Sequence, residues 1–79
     1  IIKDSSGQAV GNALIEVFAK NEDQALRITK SNTNGEFFIK TALPNGEYQI
    51  KTEADGLVFM PISIRLTGRT VPTIEIVAE

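Results

Sequence analysis

Cysteine, histidine and tryptophan are all missing from the 79 residues, and each absence closes off a class of chemistry. Without cysteine there are no disulfides, thiolate metal sites or thiol catalysis, although this leaves the compartment open. Without histidine the chain lacks the commonest general base and the commonest transition-metal ligand. A single tyrosine and no tryptophan leave little that stacks on a pyranose ring while offering a polar handle. An excess of one charge is missing too: eight Lys and Arg against ten Asp and Glu give a net −2, with both signs dispersed. Nucleic acid, which needs a basic face, is therefore not an expected partner. Long apolar runs are also lacking. The longest, Leu57 to Ile62, contains Pro61 and is too short to span a membrane, so no direct membrane insertion is expected.

What is present is a regular alternation of short runs and turns, clearest from Ser31 to Gly56. Asn34-Gly35, Pro44-Asn45-Gly46 and Asp55-Gly56 punctuate it, and glycine supplies the positive φ that tight connections need. Between them lie Glu36–Lys40 and Glu47–Lys51, aromatic and β-branched runs suited to a pleated surface. With 42% hydrophobic residues, residues 1–79 are expected to form a single domain with one core. The chain opens at Ile1 directly into a strand pattern, which reads as a module from a longer polypeptide.

In chain order, Ile1–Asp4 is expected as a first strand, stopped by Ser5-Ser6-Gly7. Ala13–Lys20 alternates, with Ala13, Ile15, Val17 and Ala19 on the expected core face and Leu14 and Phe18 partly exposed or under a neighbouring loop. Ala25–Lys30 reads as an edge strand whose Arg27 and Lys30 discourage edge-to-edge pairing. In the central stretch Phe37 and Ile39 share one face and Tyr48, Ile50 and Thr52 another, both inward. Leu57–Met60 is placed on an edge or a sheet crossing because Pro61 interrupts it. Ile62, Ile64 and Leu66 alternate, Thr67 to Thr70 turns at Gly68, and Pro72 opens a last strand containing Ile74 and Ile76. No helical period is sustained. Seven short strands at this spacing predict an all-β, seven-stranded antiparallel Greek-key sandwich, prealbumin-like or Ig-like. Its expected core is Ala13, Ile15, Val17, Phe37, Ile39, Tyr48, Ile50, Ile64, Ile74 and Ile76.

The pattern Asp4-x-x-Gly7-x-x-Val10-Gly11-x-Ala13-x-Ile15-x-Val17, then Ser31-Asn32-x-Asn34-Gly35-x-Phe37, Leu43-Pro44-x-Gly46-x-Tyr48-x-Ile50 and Ala54-x-Gly56, resembles the carboxypeptidase regulatory-like domain. The resemblance runs from about Ile2 to Leu66. Leu57 departs from it, standing where the family usually has an aromatic residue. It implies a transthyretin-like (prealbumin-like) sandwich, used as an accessory module in bacterial surface and exported proteins. On that basis the expected location is the cell surface, extracellular space or periplasm. The expected partners are neighbouring domains of the parent chain, or a protein or carbohydrate ligand.

Candidate chemistry is sparse, and neither catalysis nor a cofactor is expected. Related adhesin and pilin sandwiches form a Lys–Asn isopeptide assisted by a Tyr-x-x-x-Glu acid. Here the fourth residue after Tyr48 is Thr52, and Glu53 comes one place late, which in a strand is the other face. The stretch Val71 to Ala78 has no Asn or Asp as electrophile, so Lys3 is read as a solvated strand residue. Asn32, Asn34 and Glu36 lack the carboxylates calcium prefers, and Asn-Gly is sufficiently explained as a turn. Ser5 and Ser6 have no activating partner, while Asp4 and Asp55 sit where side-chain-to-backbone turn bonds are expected. Three phenylalanines, Phe18, Phe38 and Phe59, remain. Phe18 and Phe38 either share an outer sheet face, forming a patch for interdomain contact, or fold into the core at the sandwich edge.

Overall fold

The computed structural model describes residues 1–39, 43–67 and 74–79. Among them are six strands and no helix: β1 (Ile2–Lys3), β2 (Leu14–Ala19), β3 (Ala25–Lys30), β4 (Gly46–Glu53), β5 (Ile62–Leu66) and β6 (Ile76–Val77). Strands β2 to β5 form one antiparallel sheet in the order β3-β2-β4-β5, and β1 and β6 form a small parallel pair. The Gly68 turn, Pro72 and Lys40 lie outside the described residues.

Strands form where period-2 alternation is strongest, because one apolar face then finds a core. In β4, Tyr48, Ile50 and Thr52 are buried and Gln49, Lys51 and Glu53 exposed, as alternation predicts. Register then aligns like with like: Val17 stands beside Ile50, Ala19 beside Tyr48, and Tyr48 and Ile50 beside Ile64 and Ile62. Over this inner face lie Ile2 and Ile76, directly paired between β1 and β6. Phe37, Ile39, Leu43, Phe59 and Ile74 pack against the same cluster. Ile2, Ile15, Ile50 and Ile76 are fully buried, each contributing about 1.5–3 kcal/mol relative to exposure.

Turn chemistry agrees with the glycine and Asx positions. Gly35 and Gly56 adopt φ of 76° and 74°, and Asp4 Oδ1 accepts from the Ser6 and Gln8 amides. Ser31, quoted in the pattern but given no role there, is buried. Its hydroxyl donates to the Val10 carbonyl and accepts from the Ala13 amide, tying the loop before β2 to the end of β3.

Two expectations need correction. The stretch 36–39 is not a strand. Asn32 takes both backbone groups of Glu36, accepting its amide at Oδ1 and donating its own amide to its carbonyl. This local bonding competes with a sheet ladder. Phe37 and Ile39 reach the core all the same, with Phe38 between them exposed. The pairing is not antiparallel throughout, since β1 runs parallel to β6. Two segments from opposite ends of the described chain need no hairpin, so nothing imposes antiparallel direction, and the parallel register still brings Ile2 against Ile76. Of the alternatives for Phe18, partly exposed or covered, the covered one holds. It is 8% accessible, at a register shift between β2 and β3 where Val17 and Phe18 are both buried.

Candidate interaction surfaces

The outer face of the four-stranded sheet follows from the same registers. Leu14, Glu16 and Phe18 of β2 lie on it, beside Glu53, Lys51 and Gln49 of β4. Lys30 and Ile28 of β3 stand beside Leu14 and Glu16. Ile28 is 63% exposed on this face, and Leu26, unpaired at the register shift, is 44% exposed on the same strand. Lys51 places its ammonium 4.7 Å from the Phe18 ring centroid and covers the remaining aromatic surface.

The edge of β3 carries its own geometry. Ser31 donates its amide to the Ala13 carbonyl at 3.0 Å, which fixes the phase of the β2–β3 ladder. Alternation then makes Ile15–Thr29 and Val17–Arg27 the hydrogen-bonded pairs. The backbone groups of Ile28 and Lys30 therefore point away from β2, where no further strand stands among the described residues. Leu26 is passed over at the register shift, and its carbonyl accepts from Arg27 Nη1 at 2.8 Å.

Two concavities flank the sheet. An open one of about 840 Å³ is lined by Asn12, Leu14, Lys30, Glu53, Asp55, Leu57 and Phe59 among others. A smaller one, about 460 Å³, is lined by Lys20, Glu47, Tyr48 and Arg65. There Glu47 bridges two cations, meeting Lys20 Nζ at 2.9 Å and the Arg65 guanidinium on its other oxygen. Those two hydrogen bonds, Lys20 first, lower its pKa from 4.5 to about 2. Tyr48, below it, donates its phenol to the Pro44 carbonyl.

The residues singled out by sequence are scattered. Phe18 lies on the outer face of β2 and is buried, whereas Phe38 is 68% exposed in the irregular stretch 36–39. No strand face carries both. Lys3 forms an ion pair with Glu75, whose carboxyl is held below its usual pKa by the Lys3 hydrogen bond. Asn32 Oδ1 is engaged by the Asn34 and Glu36 amides, so the Asn-Gly loop is organised by its own backbone. Asp4 also accepts from the Ser6 hydroxyl. Sequence reasoning missed the Leu26–Ile28 surface. Its signal, two large apolar residues on the outward alternation of a strand expected at an edge, was available.

The sequence matches no family model and no curated protein, and no solved structure matches it.

Proposed function

We propose that the chain is a non-catalytic accessory module that works by packing against protein neighbours, as one domain of a larger bacterial surface or exported protein. The finer architecture proposed is the carboxypeptidase regulatory-like, seven-stranded Greek-key sandwich. The observation that carries the reading is the exposed apolar pair Leu26 and Ile28 on the edge strand β3, two residues apart in the chain. Contiguous apolar surface at a sheet edge favours a protein contact over solvent. Phe38, the exposed member of the phenylalanine pair, is a second proposed contact.

The test compares the melting temperature of this domain alone with that of a polypeptide that also carries the adjacent domain. The neighbour is expected to raise it in the wild type, and to raise it less with Leu26→Ser and Ile28→Ser together or with Phe38→Ser. Equal stabilisation in all backgrounds would remove both surfaces. Hydrolytic turnover lost on one polar substitution would remove the non-catalytic reading.

A second reading is a ligand-binding module for a carbohydrate or protein. It is supported by the 840 Å³ concavity, where Lys30, Glu53 and Asp55 meet the apolar Leu57 and Phe59. Such mixed concave surfaces are where ligands bind.

A further inference from the structure

We propose that Asn34-Gly35 is a spontaneous modification site that the fold holds shut. Once the loop opens, its conversion to isoaspartate keeps β1 from reseating. The inference is independent of what the module binds.

The chemistry belongs to the local sequence. Glycine has no side chain to shield its amide nitrogen, so the nitrogen of an Asn-Gly pair can reach the asparagine side chain. Hydroxide takes the Gly35 amide proton, and the nitrogen forms a bond to Asn34 Cγ. The Cγ–Nδ2 bond breaks, and Nδ2 leaves as ammonia with a proton from water, which restores the hydroxide. Water then opens the resulting succinimide at either carbonyl. One opening gives aspartate; the other routes the main chain through Cγ and gives isoaspartate.

The fold blocks the first step at Asn34 although that side chain is exposed. Gly35 is buried, and its amide donates to the Asn32 carbonyl at 2.9 Å, so the nucleophile is engaged. That bond closes a turn over Thr33 and Asn34. Asn34 has no positive φ, which makes the turn type I rather than type II. In type I geometry the Asn34 and Gly35 nitrogens nearly eclipse, which holds the Asn34 side chain about a third of a turn from ring closure. Asn32 Oδ1 pins the same loop by accepting the Asn34 and Glu36 amides. The Ile2 amide holds it from outside through the Gly35 carbonyl, at 2.6 Å.

A second pair supplies the comparison. Asn45-Gly46 is also followed by glutamate, as Asn34-Gly35 is, so the two share their local chemistry. Asn45 is exposed, and Gly46 is the first residue of β4, opposite Leu66 at the end of β5. Terminal pairs of a ladder open more readily than a loop clamped from both sides.

The product of opening cannot close again. Isoaspartate adds a methylene to the main chain beside Gly35, where even a Cβ would fall 2.5 Å from the Ile2 carbonyl oxygen. Aspartate adds no atom to the main chain and leaves the loop able to refold.

The test incubates the 79-residue domain at mildly alkaline pH, natively and in guanidinium chloride, and maps both sites by peptide mass spectrometry. In guanidinium the two sites should react at similar rates. In the fold, Asn34 should slow at least about tenfold against its own unfolded rate, and by more than Asn45 does. This comparison needs no variant to fold. Asn32→Ala removes the side-chain clamp and should speed Asn34 while leaving Asn45 unchanged. The isoaspartate form, separated chromatographically, should lose amide protection at Ile2 and Val10, whereas Asn34→Asp should keep it. The proposal is overturned if Asn34 reacts as fast folded as unfolded, or is slowed no more than Asn45. An unchanged Asn34 rate in Asn32→Ala also overturns it, and so does an isoaspartate form that keeps Ile2 protected.

Discussion

Lys51 holds its ammonium over the ring of Phe18, 4.7 Å from the centroid, on the face of the sheet that points away from the core. The two residues sit on adjacent strands, and Glu16, beside Lys51 across the ladder, supplies an opposite charge on the same face. A ring that alternation assigns to solvent is thereby roofed by a cation. Lys51→Met keeps an unbranched side chain and removes the charge, so it should cost about 0.5–1 kcal/mol in urea unfolding. Lys51→Glu should cost more, since it sets a carboxylate against the negative ring face and against Glu16. Wild-type stability in both variants would show that the cation contributes nothing to holding Phe18.

Glu47 should govern part of the acid response. Its folded pKa lies near 2 against an ordinary 4.5, because Lys20 and Arg65 bond the carboxylate. A depressed carboxylate pKa contributes stability that is complete above the unfolded value and lost as pH falls through the folded one. The melting-temperature gap between wild type and Glu47→Gln should therefore be constant at neutral pH and shrink between about pH 4.5 and 2. Because the group is at the surface, added salt should narrow the gap at neutral pH. A gap independent of pH across that window would mean the two cations do not hold the carboxylate in solution.

Ser31→Ala tests a buried bridge. The hydroxyl is the link between the Val10 carbonyl and the Ala13 amide, and removing it leaves groups in a buried setting with a partner lost. The expected cost is about 1–3 kcal/mol. A change below about 0.5 kcal/mol in the equilibrium unfolding curve would place the site among tolerant surface positions instead.

How far these relationships were legible from sequence depends on their range. The inward sets Ile15 and Val17, and Tyr48, Ile50 and Thr52, were readable because period-2 alternation against a buried face leaves one register. The edge position of β3 was readable from its charges, and the turns from their glycines. Glu36 to Ile39 misled because its composition suits a strand, while Asn32, four residues earlier, captures the Glu36 amide with its side chain and the Glu36 carbonyl with its backbone amide. The parallel direction of β1 and β6 is a tertiary outcome joining Ile2 to Ile76, and no local pattern encodes it. Phe18 needed knowledge of which residue of the next strand stands over it. The Arg27 bond to Leu26 depends on a side-chain conformation that alternation does not specify.

Gly35 and Gly7 form a matched pair for the last prediction. Both hold positive φ, 76° and 88°, where an L side chain is strained. A Cβ at Gly7 meets nothing within 4 Å, so Gly7→Ala carries the conformational cost alone, about 1–2 kcal/mol. A Cβ at Gly35 falls 2.5 Å from the Ile2 carbonyl oxygen, which is backbone and cannot swing aside. Retreat is blocked on both sides. That oxygen accepts from the Val10 amide at 2.9 Å, and the Ile2 amide donates to Gly35's own carbonyl at 2.6 Å. Relief of the contact therefore displaces β1 from the loop and from Ile76, loosening the small layer over the core. Gly35→Ala should cost at least about 2 kcal/mol more than Gly7→Ala, combining overpacking with a lost backbone bond. Urea unfolding of the two variants side by side measures the difference directly. Equal destabilisation would mean that the loop carrying Gly35 does not press against β1, and the placement of that loop would have to be redrawn.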